Sequence, residues 1–103
     1  MYLNKKPIYN IRAKVWLYPG MAGWHFISIP EKQSREIKTL FSEFKRGWGS
    51  LRVVVTLGTT SWKTSIFPDK KSGEYILPLK AKVRKKENIV HGKTIECIVE
   101  ILV

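Results

Sequence analysis

Along residues 9–18 apolar and polar side chains alternate, with Tyr9, Ile11, Ala13, Val15 and Leu17 at odd positions and Asn10, Arg12, Lys14, Trp16 and Tyr18 between them. Successive residues of a strand face opposite sides, so this spacing predicts one half-buried strand. Pro19-Gly20-Met21-Ala22-Gly23 supplies turn residues, and residues 24–29 read as a second strand that returns on the first as a hairpin and stops at Pro30. The period then changes: Ile37, Leu40, Phe41 and Phe44 follow helical spacing. Ser34 reads as the N-cap of that helix and Gly47 as its stop, with Glu36 near the start and Lys45 and Arg46 near the end complementing the dipole.

Two further β runs, 51–57 and 61–67, flank Gly58-Thr59-Thr60 and predict a second hairpin. A polar loop, Pro68-Asp69-Lys70-Lys71-Ser72-Gly73, leads to a strand over 74–79, which Pro78 places at a sheet edge or at its own end. Residues 80–88 read as a short helix with Val83 inward and a basic outer face. A turn at His91-Gly92-Lys93 and a final strand over 94–102 follow. About six strands and two short helices, joined by tight turns, predict a mostly β (α+β) single domain over residues 1–103, a small barrel rather than a doubly wound sheet. A weak internal echo accompanies this order, because strand 24–29, helix, strand 51–57 parallels strand 74–79, helix, strand 94–102. A barrel with pseudo-two-fold symmetry within one chain requires such a repeat.

Length and composition narrow the class. A chain of 103 residues and 12.0 kDa holds one core, and area scaling lets it bury nearly two-thirds of its unfolded surface. No stretch approaches the ~18 apolar residues needed to span a bilayer. The start of the chain leads into no uninterrupted apolar signal region, so membrane insertion is not expected and the expected compartment is the cytoplasm. Cys97 is the single cysteine, which excludes an intramolecular disulfide and a cysteine-rich metal site. It shares its side of the last strand with Ile95, Val99 and Ile101, as a small buried hydrophobe would.

Charge is the compositional outlier: 19 basic and 8 acidic residues leave a net +11. Such a surface attracts polyanions, nucleic acid among them, at low salt. Most of the cations are lysines, which neutralise phosphates without reading guanine edges bidentately. Six cations, Lys80, Lys82, Arg84, Lys85, Lys86 and Lys93, fall within fourteen residues on and after the second helix. They read either as a nucleic-acid-binding patch or as a solvated helix face. Exposed aromatics beside cations would strengthen the first reading by stacking bases, and Trp16 and Tyr18 on the polar side of the first strand and Trp48 between two glycines are the candidates.

A second polar cluster, Trp62-Lys63-Thr64-Ser65, alternates hydroxyl and ammonium donors beside an indole. On a strand Trp62 and Thr64 share one face and Lys63 and Ser65 the other. Either face, if it borders a cleft with Lys80 and Arg84, offers a ligand-binding site for a small anion. The plainer reading is a core tryptophan with polar neighbours facing water. His25 and His91 have no carboxylate or cysteine at ligand spacing and the acidic residues are scattered, so no catalytic residue, metal site or cofactor is expected.

Taken together, Trp24-His25-Phe26-Ile27-Ser28-Ile29-Pro30, Leu51-Arg52-Val53-Val54-Val55, Trp62-Lys63-Thr64-Ser65-Ile66-Phe67-Pro68, Tyr75-Ile76-Leu77-Pro78-Leu79-Lys80, Val83-Arg84-Lys85 and Ile89-Val90-His91-Gly92-Lys93 resemble the domain-of-unknown-function family 1905. The resemblance implies a double-split β-barrel built from a single chain, a fold similar to that of the AbrB, MazE and MraZ group of DNA-binding proteins, in which two short chains build one barrel. Gly92-Lys93 departs from the Gly-Asp usual in that group, and a shared fold does not transfer DNA binding. Some relatives join this domain to a helical module associated with bacteriocin protection, which implies a protein-interaction role with such a partner as a third alternative.

Overall fold

The computed structural model describes residues 7–20 and 23–103. Met21 and Ala22 of the expected first turn lie outside the described residues, as does the start of the chain. In chain order the described residues form strands β1 (Ile8–Lys14), β2 (Trp16–Leu17) and β3 (His25–Ser28), helix α1 (Glu31–Phe41), strands β4 (Leu51–Leu57), β5 (Thr60–Pro68) and β6 (Tyr75–Pro78), helix α2 (Ala81–Lys86) and strand β7 (Thr94–Ile101). The seven strands pair antiparallel in the order β1-β7-β4-β5-β6-β3-β2. Only Val15 separates β1 from β2, so the two ends of this order belong to one extended segment and the sheet is a nearly closed barrel. No helix among the described residues is long and apolar enough to cross a membrane.

The period-2 signal survives in β4 and β7. Leu51, Val53, Val55 and Leu57 from β4 and Ile95, Cys97, Val99 and Ile101 from β7 all enter the core, and their alternates face outward. The first strand differs from its expected form. Tyr9, Ile11 and Val15 are buried, but Leu17 is 42% exposed. The break is at Val15, whose N–H donates to Lys93 O (2.8 Å) and whose carbonyl accepts from Gly92 N (2.8 Å). Both backbone groups of Val15 are therefore spent on the turn before β7, and beyond it the chain pairs with β3 instead, Trp16 opposite Phe26 and Leu17 opposite His25. Strand β5 makes the same exchange, pairing with β4 as far as Ile66 and with β6 at Phe67 and Pro68.

The internal echo is visible in the topology. Units β3-α1-β4 and β6-α2-β7 meet through antiparallel β3–β6 and β4–β7 pairs, and each is flanked by a strand that changes partner. The expected six strands become seven because the first one divides. Pro78 is the last residue of β6, which lies inside the sheet between β5 and β3.

Helix α1 corrects the expected boundaries. It begins at Glu31 behind Pro30, and Ser34 N–H already donates to Pro30 O (2.8 Å), so Ser34 is no N-cap. Its hydroxyl is buried instead, donating to Ile29 O (2.8 Å) and accepting from Tyr75 N (3.0 Å), and so ties β3, α1 and β6 together. The same local hydrogen-bonding capacity that favours serine at caps has been captured by a tertiary contact. The helix ends at Phe41, and residues Ser42–Phe44 tighten into a 3-10 turn. Ile37 and Phe41 consequently pack inward while Leu40 and Phe44 stay exposed, and Lys45 and Arg46 lie past the helix end.

Removing the Ser34 hydroxyl leaves the buried Tyr75 N–H without its acceptor, so Ser34→Ala is expected to lower the unfolding free energy by about 1–3 kcal/mol in urea titrations. Three buried acids set a pH dependence. Desolvation pushes the Cys97 thiol up to about 12. It also raises the Tyr75 phenol, and raises Tyr9, whose hydroxyl donates to Glu36 Oε2 (3.0 Å) beside that negative charge. Each stays protonated in the folded chain after its unfolded counterpart, with values of 9.0 for the thiol and 10.0 for the phenols, has begun to ionise. The unfolded state then binds fewer protons, and stability falls as pH rises. The urea midpoint should therefore be level through neutral pH and decline above about pH 9; a midpoint unchanged at pH 10.5 would contradict this assignment.

Candidate ligand-binding groove

Strand β5 distributes the expected Trp62-Lys63-Thr64-Ser65 cluster over two surfaces. Trp62 and Thr64 lie opposite Val55 and Val53 of β4. Both side chains line a cavity of about 390 Å³ between β5, the start of β3 and α2. Lys63 stands on the opposite face across from Val54, exposed, and lines no part of this cavity. Ser65, opposite Arg52, lines a second concavity of about 580 Å³. The four residues are thus divided: Trp62 and Thr64 line the cavity beside α2, Thr64 and Ser65 line the second concavity, and Lys63 lines neither. The division follows from strand alternation combined with the passage of β5 from β4 to β6.

The cavity beside α2 is also lined by Gly23, Trp24, His25, Pro78, Leu79, Lys80, Ala81 and Arg84. The two clusters identified separately in the sequence therefore meet, because Lys80 and Arg84 border the same space as Trp62 and Thr64. Arg84 is held rigidly. Its Nε donates to Leu79 O (2.9 Å) and its Nη2 to Gly23 O (3.2 Å), bridging α2 to the loop before β3. His25 Nδ1 lies 2.9 Å from the same Gly23 oxygen and donates to it when that nitrogen carries the proton. Lys82, Lys85 and Lys86 are exposed on α2, and Lys93 is exposed beyond it with Nζ donating to Asn88 O (3.1 Å).

Comparison of the two halves explains why the space is open here. In the first half Ser34 donates to Ile29 O, five residues back; in the second Arg84 donates to Leu79 O, also five back. Ile29 N donates to Tyr75 O and Leu79 N to His25 O, so the strand ends match as well. Helix α1 runs for eleven residues and buries Ile37 and Phe41, whereas α2 stops after six with Val83 as its one buried residue. Glu87 turns away from the cavity and accepts hydrogen bonds from Thr60 Oγ1 (2.5 Å) and Thr59 Oγ1 (3.5 Å), pinning the end of α2 to the β4–β5 turn. Gly58, at φ +60°, lies so close to that carboxylate that a Cβ there would collide with it.

The second concavity is aromatic. Tyr18, Trp24, Phe26, Trp48 and Phe67 line it with Arg52, Ile76 and Ser65, and it shares Trp24, Thr64 and Pro78 with the cavity beside α2. The two share a boundary and form one groove, with no aspartate or glutamate among the described residues that line it. Trp16 props its floor, with its indole on Phe26 at a centroid distance of 5.2 Å and its Nε1 donating to Ser28 Oγ (3.0 Å). Tyr18 and Trp24 contact Phe26 at 5.7 and 6.0 Å.

Of these residues, the sequence pointed to Trp16, Tyr18 and Trp48 as outward aromatics. Trp24, Phe67 and Arg52 escaped notice. The available signal was that Trp24, just before β3, and Phe67, near the end of β5, are rings at positions where solvated loops and faces ordinarily carry polar groups.

Trp48 is 92% exposed and has a left-handed backbone, φ +59° and ψ +25°. A non-glycine residue there costs about 1–2 kcal/mol, with almost no burial of the indole to offset it. Trp48→Gly should therefore raise the unfolding free energy by about 1 kcal/mol in denaturant titrations, since glycine adopts this conformation freely; a loss of stability would show that the ring is structural.

The family model described as Domain of unknown function (DUF1905) matches residues 12–99, a span that includes every residue of the groove. No curated protein matches the chain.

Proposed function

This chain belongs to the DUF1905 family, whose description names no activity, and we propose from its own geometry that it is a non-enzymatic module binding single-stranded nucleic acid. The observation that carries this reading is the groove itself, where Trp24 and Trp48 are exposed at 53% and 92% beside Arg52, Lys80 and Arg84, and no carboxylate intervenes. Indole faces accept unpaired bases whatever their identity, each stack contributing about 1–3 kcal/mol, while cations along the same surface neutralise the backbone. A duplex hides its base faces, so exposed rings beside cations favour single strands.

The cations of the second helix fall into two roles in this reading. Lys80 and Arg84 lie within the groove, and Lys82, Lys85 and Lys86 extend the positive surface along α2. Lys93, beyond the helix, supplies a further phosphate contact. The partner exchanges of β1–β2 and β5 support describing the fold as a single-chain double-split barrel similar to that of the AbrB, MazE and MraZ group. That likeness is of fold, and the reading of function does not depend on it.

Fluorescence anisotropy with labelled single strands and their duplexes at several salt concentrations tests the proposal. Single strands should bind more tightly than duplexes, with a slope of log K against log salt near about −4 for six phosphate contacts. Neutralising Lys80, Lys82, Lys85 and Lys86 together should flatten that slope by about 3, and Trp24→Ala or Trp48→Ala should each weaken binding roughly 5- to 150-fold. Absence of single-strand binding at low salt would refute the reading.

A further inference from the structure

The cavity beside α2 differs from the aromatic part of the groove in one respect that concerns the ligand's chemistry. Its lining brings together the donor-bearing residues Trp62, Thr64, Lys80 and Arg84, with no aspartate or glutamate among the described residues that line it. Trp62 is nine-tenths buried, and its indole N–H makes no hydrogen bond among the described residues. A buried indole N–H ordinarily has a partner. Arg84 spends Nε and Nη2 on carbonyl oxygens, which fixes the plane of the guanidinium at the cavity wall and leaves its other nitrogen uncommitted. Lys80 and the Thr64 hydroxyl border the same space.

We propose that this cavity is a phosphomonoester site. The assignment rests on the nucleic-acid reading for its preferred source, the terminal phosphate of a strand whose bases lie on the aromatic part of the groove; a free mononucleotide presents the same group. A phosphomonoester carries about −1.5 to −2 charge and three acceptor oxygens, which match two adjacent cations together with the Trp62 and Thr64 donors. An internal phosphodiester has a single charge and two free oxygens. Arg84, bridged from α2 to Gly23 O, stands in the wall of the cavity, where it can meet the terminal charge of a bound phosphomonoester. The cavity volume of about 390 Å³ falls in the range of small-ligand sites.

The test uses the full chain and one oligonucleotide sequence with a phosphate at the 5′ end, at the 3′ end or at neither, with adenosine monophosphate and inorganic phosphate titrated separately by calorimetry. One of the two phosphorylated strands should bind about ten-fold or more tightly than the unphosphorylated strand. That ratio should collapse toward one in Trp62→Phe, which keeps the ring and loses the N–H, and in Lys80→Gln, an exposed position. Thermal unfolding confirms that both variants fold. Arg84→Ala is unsuited to this purpose because it also removes the bridge to Gly23.

If the three strands bind alike while Trp48→Ala still weakens all of them, strand binding stands and terminal recognition fails. Adenosine monophosphate binding that is lost in Trp62→Phe and Lys80→Gln, with no strand bound, supports the phosphomonoester site, names a free nucleotide as its source and rejects the strand reading. Equal strands together with no calorimetric signal from adenosine monophosphate or inorganic phosphate overturn the phosphomonoester site.

Discussion

The backbone of Val15 is the point on which this molecule turns. Its N–H and carbonyl are both bonded to the turn before β7, so the extended segment that begins paired with β7 must continue with a different neighbour, and β3 is there to receive it. That exchange brings the two ends of the strand order together and nearly closes the barrel, reducing the open edges that a seven-stranded sheet would otherwise expose. Beyond it the inward odd positions of β1 give way to an exposed Leu17. Leu17 and Trp16 lie beyond the exchange, and Trp16 stacks on the buried ring of Phe26 beneath the aromatic concavity. The aromatic surface is therefore a consequence of how the barrel closes.

The groove adds a second consequence, arising from unequal halves. Both halves use a side chain to bind the carbonyl five residues back, just beyond the strand end, a hydroxyl in one and a guanidinium in the other. The hydroxyl of Ser34 is short and lets α1 settle onto the barrel, where eleven residues bury Ile37 and Phe41. The Arg84 guanidinium reaches further, to the loop before β3, and the six-residue α2 ends before it can supply equivalent apolar cover. One half of an approximately symmetric barrel is thus sealed by packing and the other is left concave and cationic. Glu87 keeps it so by anchoring the end of α2 to the β4–β5 turn.

Strain and exposure converge at Trp48. The left-handed backbone works against stability and the ring, almost wholly in water, returns little. Natural chains retain such features at sites of contact with other molecules, where a fixed projecting group matters more than a small stability gain. The Trp62 indole N–H is the buried counterpart of the same situation, a polar group whose desolvation no hydrogen bond among the described residues offsets.

Much of the architecture was legible along the chain because alternation and helical spacing are local: the strands read over residues 51–57 and 94–102, the Gly58 turn and the inward Val83 were all visible as pattern. Where a residue's backbone or hydroxyl serves a distant partner, pattern misleads. Ser34 reads as a cap and acts as a bridge between β3 and β6, and residues 9–18 read as one strand and divide at Val15. Lys63 and Thr64 look alike as polar neighbours of Trp62, yet one faces solvent and the other the groove. The sequence by itself determined a basic, mostly β chain with aromatics in unusual places and cations gathered near the second helix. Only the tertiary structure decided that Trp62, Thr64, Lys80 and Arg84 border one cavity continuous with Trp24 and Trp48, because that juxtaposition depends on β5 changing neighbours and α2 ending early, both set by contacts between residues far apart in the chain.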